Sequence, residues 1–321
     1  MTNAIPFPKI DVNVLYISDN EFEELVLALL RLKDYVGLKQ ISFIAEEEIC
    51  STWESSRGKN ISEVREILGK NVQNSLDKML MLCCLLIQYD TMIPLDPIIS
   101  NLYTIYQIGA KRELGFDAEK EHLSSSVIWK EVIARIYALG ALAVFFEKFE
   151  AVPTFITKSW PKERPEEVQI PRFWARHALT MLRKEGRLEH PSLCLLAEEK
   201  VLQNDWLFKR FKKSLDLFRN SVCQFDFLQC IHAIHRTGNV EDAFQSFGIF
   251  HNYRAEPIVL DLISKGKSRR CIPELTDKEL AVIIASLDGF AARAFSSYSD
   301  KWFQNDWRDK KIIEFLKKNL A

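Results

Sequence analysis

Arg172-Phe-Trp-Ala-Arg176-His177 places an arginine five residues before a histidine. These two side-chain types can cleave RNA without a metal: the guanidinium holds a phosphate while the imidazole moves a proton between oxygens. Helical spacing offers the same histidine other surroundings. Phe173, Trp174, His177, Ala178, Met181 and Leu182 fall at i, i+1, i+4, i+5, i+8 and i+9, an apolar stripe that contains His177. Arg172 and His177 are therefore candidate catalytic residues, with a core histidine as the reading that the stripe favours.

Two other groups of residues bear on chemistry. Cys223, Cys230, His232 and His235 lie close together, with Cys271 further on, but they complete no C-x2-C or H-x3-H pattern. Buried thiols acting as small hydrophobes explain them, as they explain the vicinal Cys83-Cys84, so no metal is expected. Basic residues gather at Lys209, Arg210, Lys212 and Lys213, again at Lys265, Lys267, Arg269 and Arg270, and finally at Arg308, Lys310 and Lys311. Trp206, Phe208 and Phe211 interleave with the first group. Such clusters bind nucleic acid through phosphates and base stacking, or else form a solvated helix face whose aromatics point inward. No phosphate-binding glycine loop, G-x-S-x-G or H-E-x-x-H occurs, and no cofactor is expected.

The Arg172–His177 spacing resembles the R-x4-6-H motif of HEPN-type ribonucleases, which are all-α. The resemblance implies metal-independent RNA cleavage by those two residues. Phe173 departs from the polar residue usual after the arginine in that family.

The elements that must position these residues are helical. Val127–Val152 is the organising stretch. Trp129, Val132, Ile133, Ile136, Leu139 and Gly140 follow helical spacing, Lys130, Glu131 and Arg135 share the other side, and Ile136–Phe146 carries no charge. A helix apolar all round is buried by neighbours on every side, and Ala138, Gly140, Ala141 and Ala143 let them approach closely. Met79–Ile87 is a second fully apolar helical run.

Ile10, Val12, Val14 and Tyr16 alternate with other residues, which predicts a strand, and Leu38–Ala45 reads as either a second strand or a helix start. Ser18-x-x-Glu21 and Thr276-x-x-Glu279 are capping boxes. Gly37 is expected to stop the helix Phe22–Val36, and Pro94 and Pro97 to separate two helices. Pro153, Pro161 and Pro165 mark a hinge or flap over 151–170, with Thr154–Thr157 pairing as a short strand. Beyond it, helices are expected at Arg172–Glu185, Pro191–Gln203, Asp205–Arg219 and Ser221–Arg236.

Composition bounds the rest. With 47% hydrophobic and 27% charged residues in 321, the chain has an ordinary globular balance, and only eleven glycines favour helices over turn-rich β architecture. The net charge of −1 hides an asymmetry: 12 Lys+Arg against 19 Asp+Glu up to Ser126, then 31 against 25. The two parts either dock on each other or give the second an anionic partner. The start lacks a secretory signal pattern, no apolar run approaches the length of a bilayer span, and seven unevenly spread cysteines suit a reducing cytoplasm.

Arg135-Ile-Tyr-Ala-Leu-Gly-Ala-Leu-Ala-Val144, followed by Phe149-Glu-Ala-Val152, resembles a helix of the large helical C-terminal regions of bacterial antiphage or regulatory proteins. Those regions are often appended to AlbA-type Schlafen or sirtuin-like domains. The resemblance implies a helical sensor, scaffold or regulatory module and carries over no catalytic residue.

The expectation is thus a mainly α protein, an irregular multi-helix bundle around buried central helices with one or two short strands near the N-terminus. Its parts are an acidic 1–150, a Pro-rich 151–170 and a basic 171–321, which together can form one continuous domain. The function expected first is cytoplasmic binding of a protein partner. A ribonuclease and a non-catalytic nucleic-acid binder are the alternatives, and no membrane is involved.

Overall fold

The computed structural model describes residues 10–56, 63, 66–89, 92–108, 118–156, 193–238, 261, 266–284 and 286. Among these residues every regular element is helical. The chain divides into two compact units, Met1–Ile128 and Trp129–Ala321. The expected Pro-rich segment lies outside the described residues from 157 onward.

The first unit contains α1 (Asp19–Leu32), α2 (Tyr35–Ser55), α3 (Gln73–Gln88) and α4 (Met92–Ile108). The Ser18–Glu21 capping box opens α1: the Ser18 hydroxyl accepts from the Glu21 N–H at 3.3 Å, and the Glu21 carboxylate accepts from the Ser18 N–H at 3.0 Å. Lys33 ends α1 in the left-handed region at φ 54°, not Gly37. Gly37 instead sits in the first turn of α2, where its N–H donates to the Asp34 carboxylate at 2.9 Å. An added Cβ there would overlap Asp34 and Ile10, so the glycine makes room for the cap. α2 packs against α1, α3 and α4.

The expected N-terminal strands are not found. Val12–Leu15 is a 3-10 helix, started by the Asp11 side chain, which accepts from the Asn13 N–H at 3.0 Å. The neighbours Val14 and Leu15 are both buried, which a strand facing one core cannot achieve, because its side chains alternate. Leu38–Ala45 is helical within α2, burying Leu38, Ile41, Ser42 and Ala45 at helical spacing. Every residue of α3 from Met79 to Ile87 is buried, as the apolar run predicts. Pro94 and Pro97 do not separate two helices, since both lie in α4. Pro94 stands in the first turn, where N–H groups have no helical acceptor, and Pro97 forgoes a single backbone bond.

α5 (Ala118–Phe145) carries the chain from the first unit into the second. The second unit continues with a 3-10 turn at Phe149–Ala151, α6 (Val152–Ile156), α7 (Leu193–Gln203), α8 (Asp205–Phe211), α9 (Leu215–Thr237) and α10 (Lys267–Cys271). The Thr276–Glu279 box then caps helical residues 277–284, with the Glu279 N–H donating to the Thr276 hydroxyl at 3.2 Å. Thr154, expected in a strand, is in α6, whose Phe155 and Ile156 are adjacent and both buried.

From Val132 to Val144, α5 is buried at every position, as a helix apolar on all sides requires. At Gly140 the helix meets Phe225 of α9 so closely that an added Cβ would overlap the ring. Tyr137 meets the same ring edge-on at 5.3 Å between centroids. The expected helix Asp205–Arg219 is broken at Lys212–Ser214 into α8 and the start of α9. Phe211 and Phe218, on either side of the break, are both buried, and Phe211 meets Phe145 at 5.1 Å and Phe146 at 5.8 Å.

Candidate functional site

Two surfaces and one buried cluster stand out. On the first unit, Leu32, Val36 and Phe43 are 54%, 76% and 51% exposed. Val36 and Phe43 are seven residues apart on α2, hence two turns along one face. Leu32 ends α1 four residues before Val36. Isolated exposed hydrophobes are ordinary, whereas Val36 and Phe43 share one helix face and Leu32 is near them in sequence, so the three are a candidate apolar patch. Arg31, Lys33 and Glu47, near these residues in sequence, are charged and exposed as well.

On the second unit, Asn204 caps α8 by accepting from the Leu207 N–H at 3.0 Å. This seven-residue helix buries Trp206, Leu207 and Phe211 and exposes Phe208, Lys209 and Arg210, with Lys212 and Lys213 exposed just beyond it. The amphipathic split explains the sequence pattern: two of the three interleaved aromatics face the core, and only Phe208 is at the surface. The Arg210 guanidinium lies 4.1 Å from the Trp206 ring centroid, a cation–π distance that fixes its direction.

On the side of α5 that Glu131 and Arg135 share, the charges are turned to the interior. Arg135 is 1% exposed and donates to the Glu131 carboxylate at 2.6 Å. Lys200 of α7, also buried, donates to the same carboxylate at 3.0 Å and to the Gln203 side chain at 3.2 Å. Burial pushes the Glu131 carboxyl up, but Arg135 and Lys200 together pull it further down, to about 2. One carboxylate thus serves two buried cations and ties α5 to α7.

The cysteines of α9 and His232 are core residues, while His235 is half-buried. Cys223 and Cys230 are buried, as is Cys271 of α10. Cys194 of α7 joins them: its hydrogen bond with Cys223, then burial, then Asp226 and the neighbouring thiols hold its thiol well above the ordinary range. His232 is buried with Nδ1 lacking a hydrogen-bond partner, and burial, then the charges of Arg236 and His235, lower it to about 4. Among the described residues no group of three or more His, Cys, Asp or Glu could hold a metal ion. None of the described helices is long and apolar enough to cross a membrane.

Of the residues singled out in the sequence, Arg172, His177, Lys265, Arg308, Lys310 and Lys311 lie outside the described residues. Lys209, Arg210, Lys212 and Lys213 come together at α8. Lys267, Arg269 and Arg270 lie on α10, where Arg270 pairs with Glu150 at 2.5 Å and stands over the Phe149 ring at 4.8 Å. Sequence reasoning missed the Leu32–Val36–Phe43 patch, because α2 was not recognised as one helix, and it missed Lys200 as the partner of Glu131. No protein-family model, curated protein or solved structure matches the chain.

Proposed function

We propose that this chain is a helical protein-interaction module whose first unit docks a partner through the patch of Leu32, Val36 and Phe43. The patch is the observation that carries the reading. Each of these side chains is at least half exposed, and covering one completely is worth up to about 1.5–3 kcal/mol. A partner that covers all three gains the kind of apolar centre with a charged rim that specific interfaces use. The helical scaffold suits the role: α2 is held against α1, α3 and α4, so the patch is preorganised. The resemblance of Arg135–Val144 to helical regions of bacterial antiphage and regulatory proteins fits a scaffold or sensor of that kind.

The test is native purification of the tagged full chain, alongside a Val36→Asp/Phe43→Asp variant. The expected result is a stoichiometric protein recovered with the unaltered chain and lost with the variant, at unchanged helical content. Recovery of the same protein by the variant, or absence of any stoichiometric partner, overturns the reading.

A further inference from the structure

Four cations gather at the exposed end of α8 and just beyond it. Lys209, Arg210, Lys212 and Lys213 are all exposed, and among the described residues no carboxylate pairs with Lys209, Lys212 or Lys213. Three carboxylates on the flanking helices bond to residues other than these lysines. Glu198 and Asp216 both hold Arg219, at 2.5 and 3.2 Å, and Glu199 accepts from Gln203 at 2.8 Å. Asp205, in the first turn of α8, lies one turn before Lys209 and forms no ion pair with it.

Cations in the last turn of a helix are favoured by its dipole, but that accounts for Lys209 and Arg210 only, since Lys212 and Lys213 follow the helix. Four cations within five residues, next to a surface phenylalanine, constitute an anion-binding surface. We propose that this surface binds single-stranded nucleic acid, the lysines meeting backbone phosphates and Phe208 stacking on a base.

Three features favour this ligand over other anions. Phe208 is 39% exposed and flanked by Lys209 in sequence and by Lys212 one turn on, so an aromatic face lies among the phosphate contacts. A carboxylate-rich peptide offers no flat partner for that ring, whereas every base does. Arg210 is already held against Trp206, so ordering its side chain costs little on binding. Finally, α8 spans only about 10 Å along its axis, a footprint of a few phosphates on a flexible strand rather than a duplex groove.

The experiment is fluorescence anisotropy of a labelled oligouridylate or oligothymidylate of about 12 nucleotides with the full chain, titrated from about 50 to about 200 mM salt. Each phosphate contact contributes about −0.7 to the log–log salt slope for a single strand, so the three lysines predict a slope of about −2. Lys209→Gln/Lys212→Gln/Lys213→Gln should flatten the slope by about 2 and weaken binding steeply at low salt. Phe208→Ala should weaken binding at least about fivefold while leaving the slope unchanged. All four positions are exposed, so circular dichroism should be the same for every variant. Three results overturn the proposal: no binding at low salt, equal binding by the triple variant, or binding of polyglutamate or anionic vesicles in preference to the oligonucleotide.

Discussion

Replacing Glu131 by Gln removes the one carboxylate shared by Arg135 and Lys200 while keeping its shape. Both cations are buried, and the glutamine leaves them without the negative charge that offsets their desolvation. Two routes give the magnitude. Loss of a partner from a buried ion pair costs roughly 3–5 kcal/mol. Independently, the fall of the Glu131 carboxyl from the ordinary 4.5 to about 2 corresponds to about 3 kcal/mol of preference for the charged form in the folded state. Between those two pH values the unfolded chain binds a proton that the folded chain does not. The stabilisation is therefore complete above about 4.5 and is lost as the pH falls through about 2. Urea unfolding of the full chain and of Glu131→Gln, followed by helical circular dichroism, should separate the two by about 3 kcal/mol at pH 7. The gap should narrow steadily as the carboxyl protonates in the parent protein below pH 4.5. A gap under about 1 kcal/mol at neutral pH, the value of an exposed pair, would refute the reasoning. So would a gap that does not change with pH.

Other predictions concern packing and titration. Gly140→Ala drives a methyl group into the Phe225 ring and should lower stability by about 1–3 kcal/mol. Gly69→Ala meets nothing within 4 Å and should be neutral or stabilising, so a melting curve distinguishes crowding from loss of a glycine as such. His232 should titrate near 4 in the folded protein by NMR, against 6.5 in an unfolded chain. Because the unfolded state takes up that proton first, the protein loses stability between those pH values, by up to about 3 kcal/mol. A midpoint near 6.5 would show the ring to be solvated. Cys83 and Cys84 should resist thiol reagents until denaturant is added, since both are buried and burial, then its neighbour Cys84, raises the Cys83 thiol far above the ordinary range.

Residue types alone determined that the described residues are mostly helical, that Met79–Ile87 and Ile136–Val144 are buried, and that Ser18 and Thr276 begin helices. These features are local: helical periodicity and capping chemistry are written within one or two turns. The same local signals misled at Ile10–Tyr16, where a seven-residue alternation is outweighed by the Asp11 turn and by adjacent burial of Val14 and Leu15. They also misplaced a helix boundary, which falls at Lys212–Ser214 and not between Arg219 and Ser221.

For the candidate sites, the basic residues of α8 were legible because charge clusters in sequence. That Phe208 faces outward while Trp206 and Phe211 face inward needed the helix to be set against its neighbours. The fate of Glu131 and Arg135 was decided wholly by tertiary structure. Their spacing marks a polar helix side, and only the arrival of Lys200, 69 residues along the chain, makes that side interior. A charge pattern records which residues share a face. Whether water or another helix covers that face depends on contacts remote in sequence, and burial is a property of those contacts.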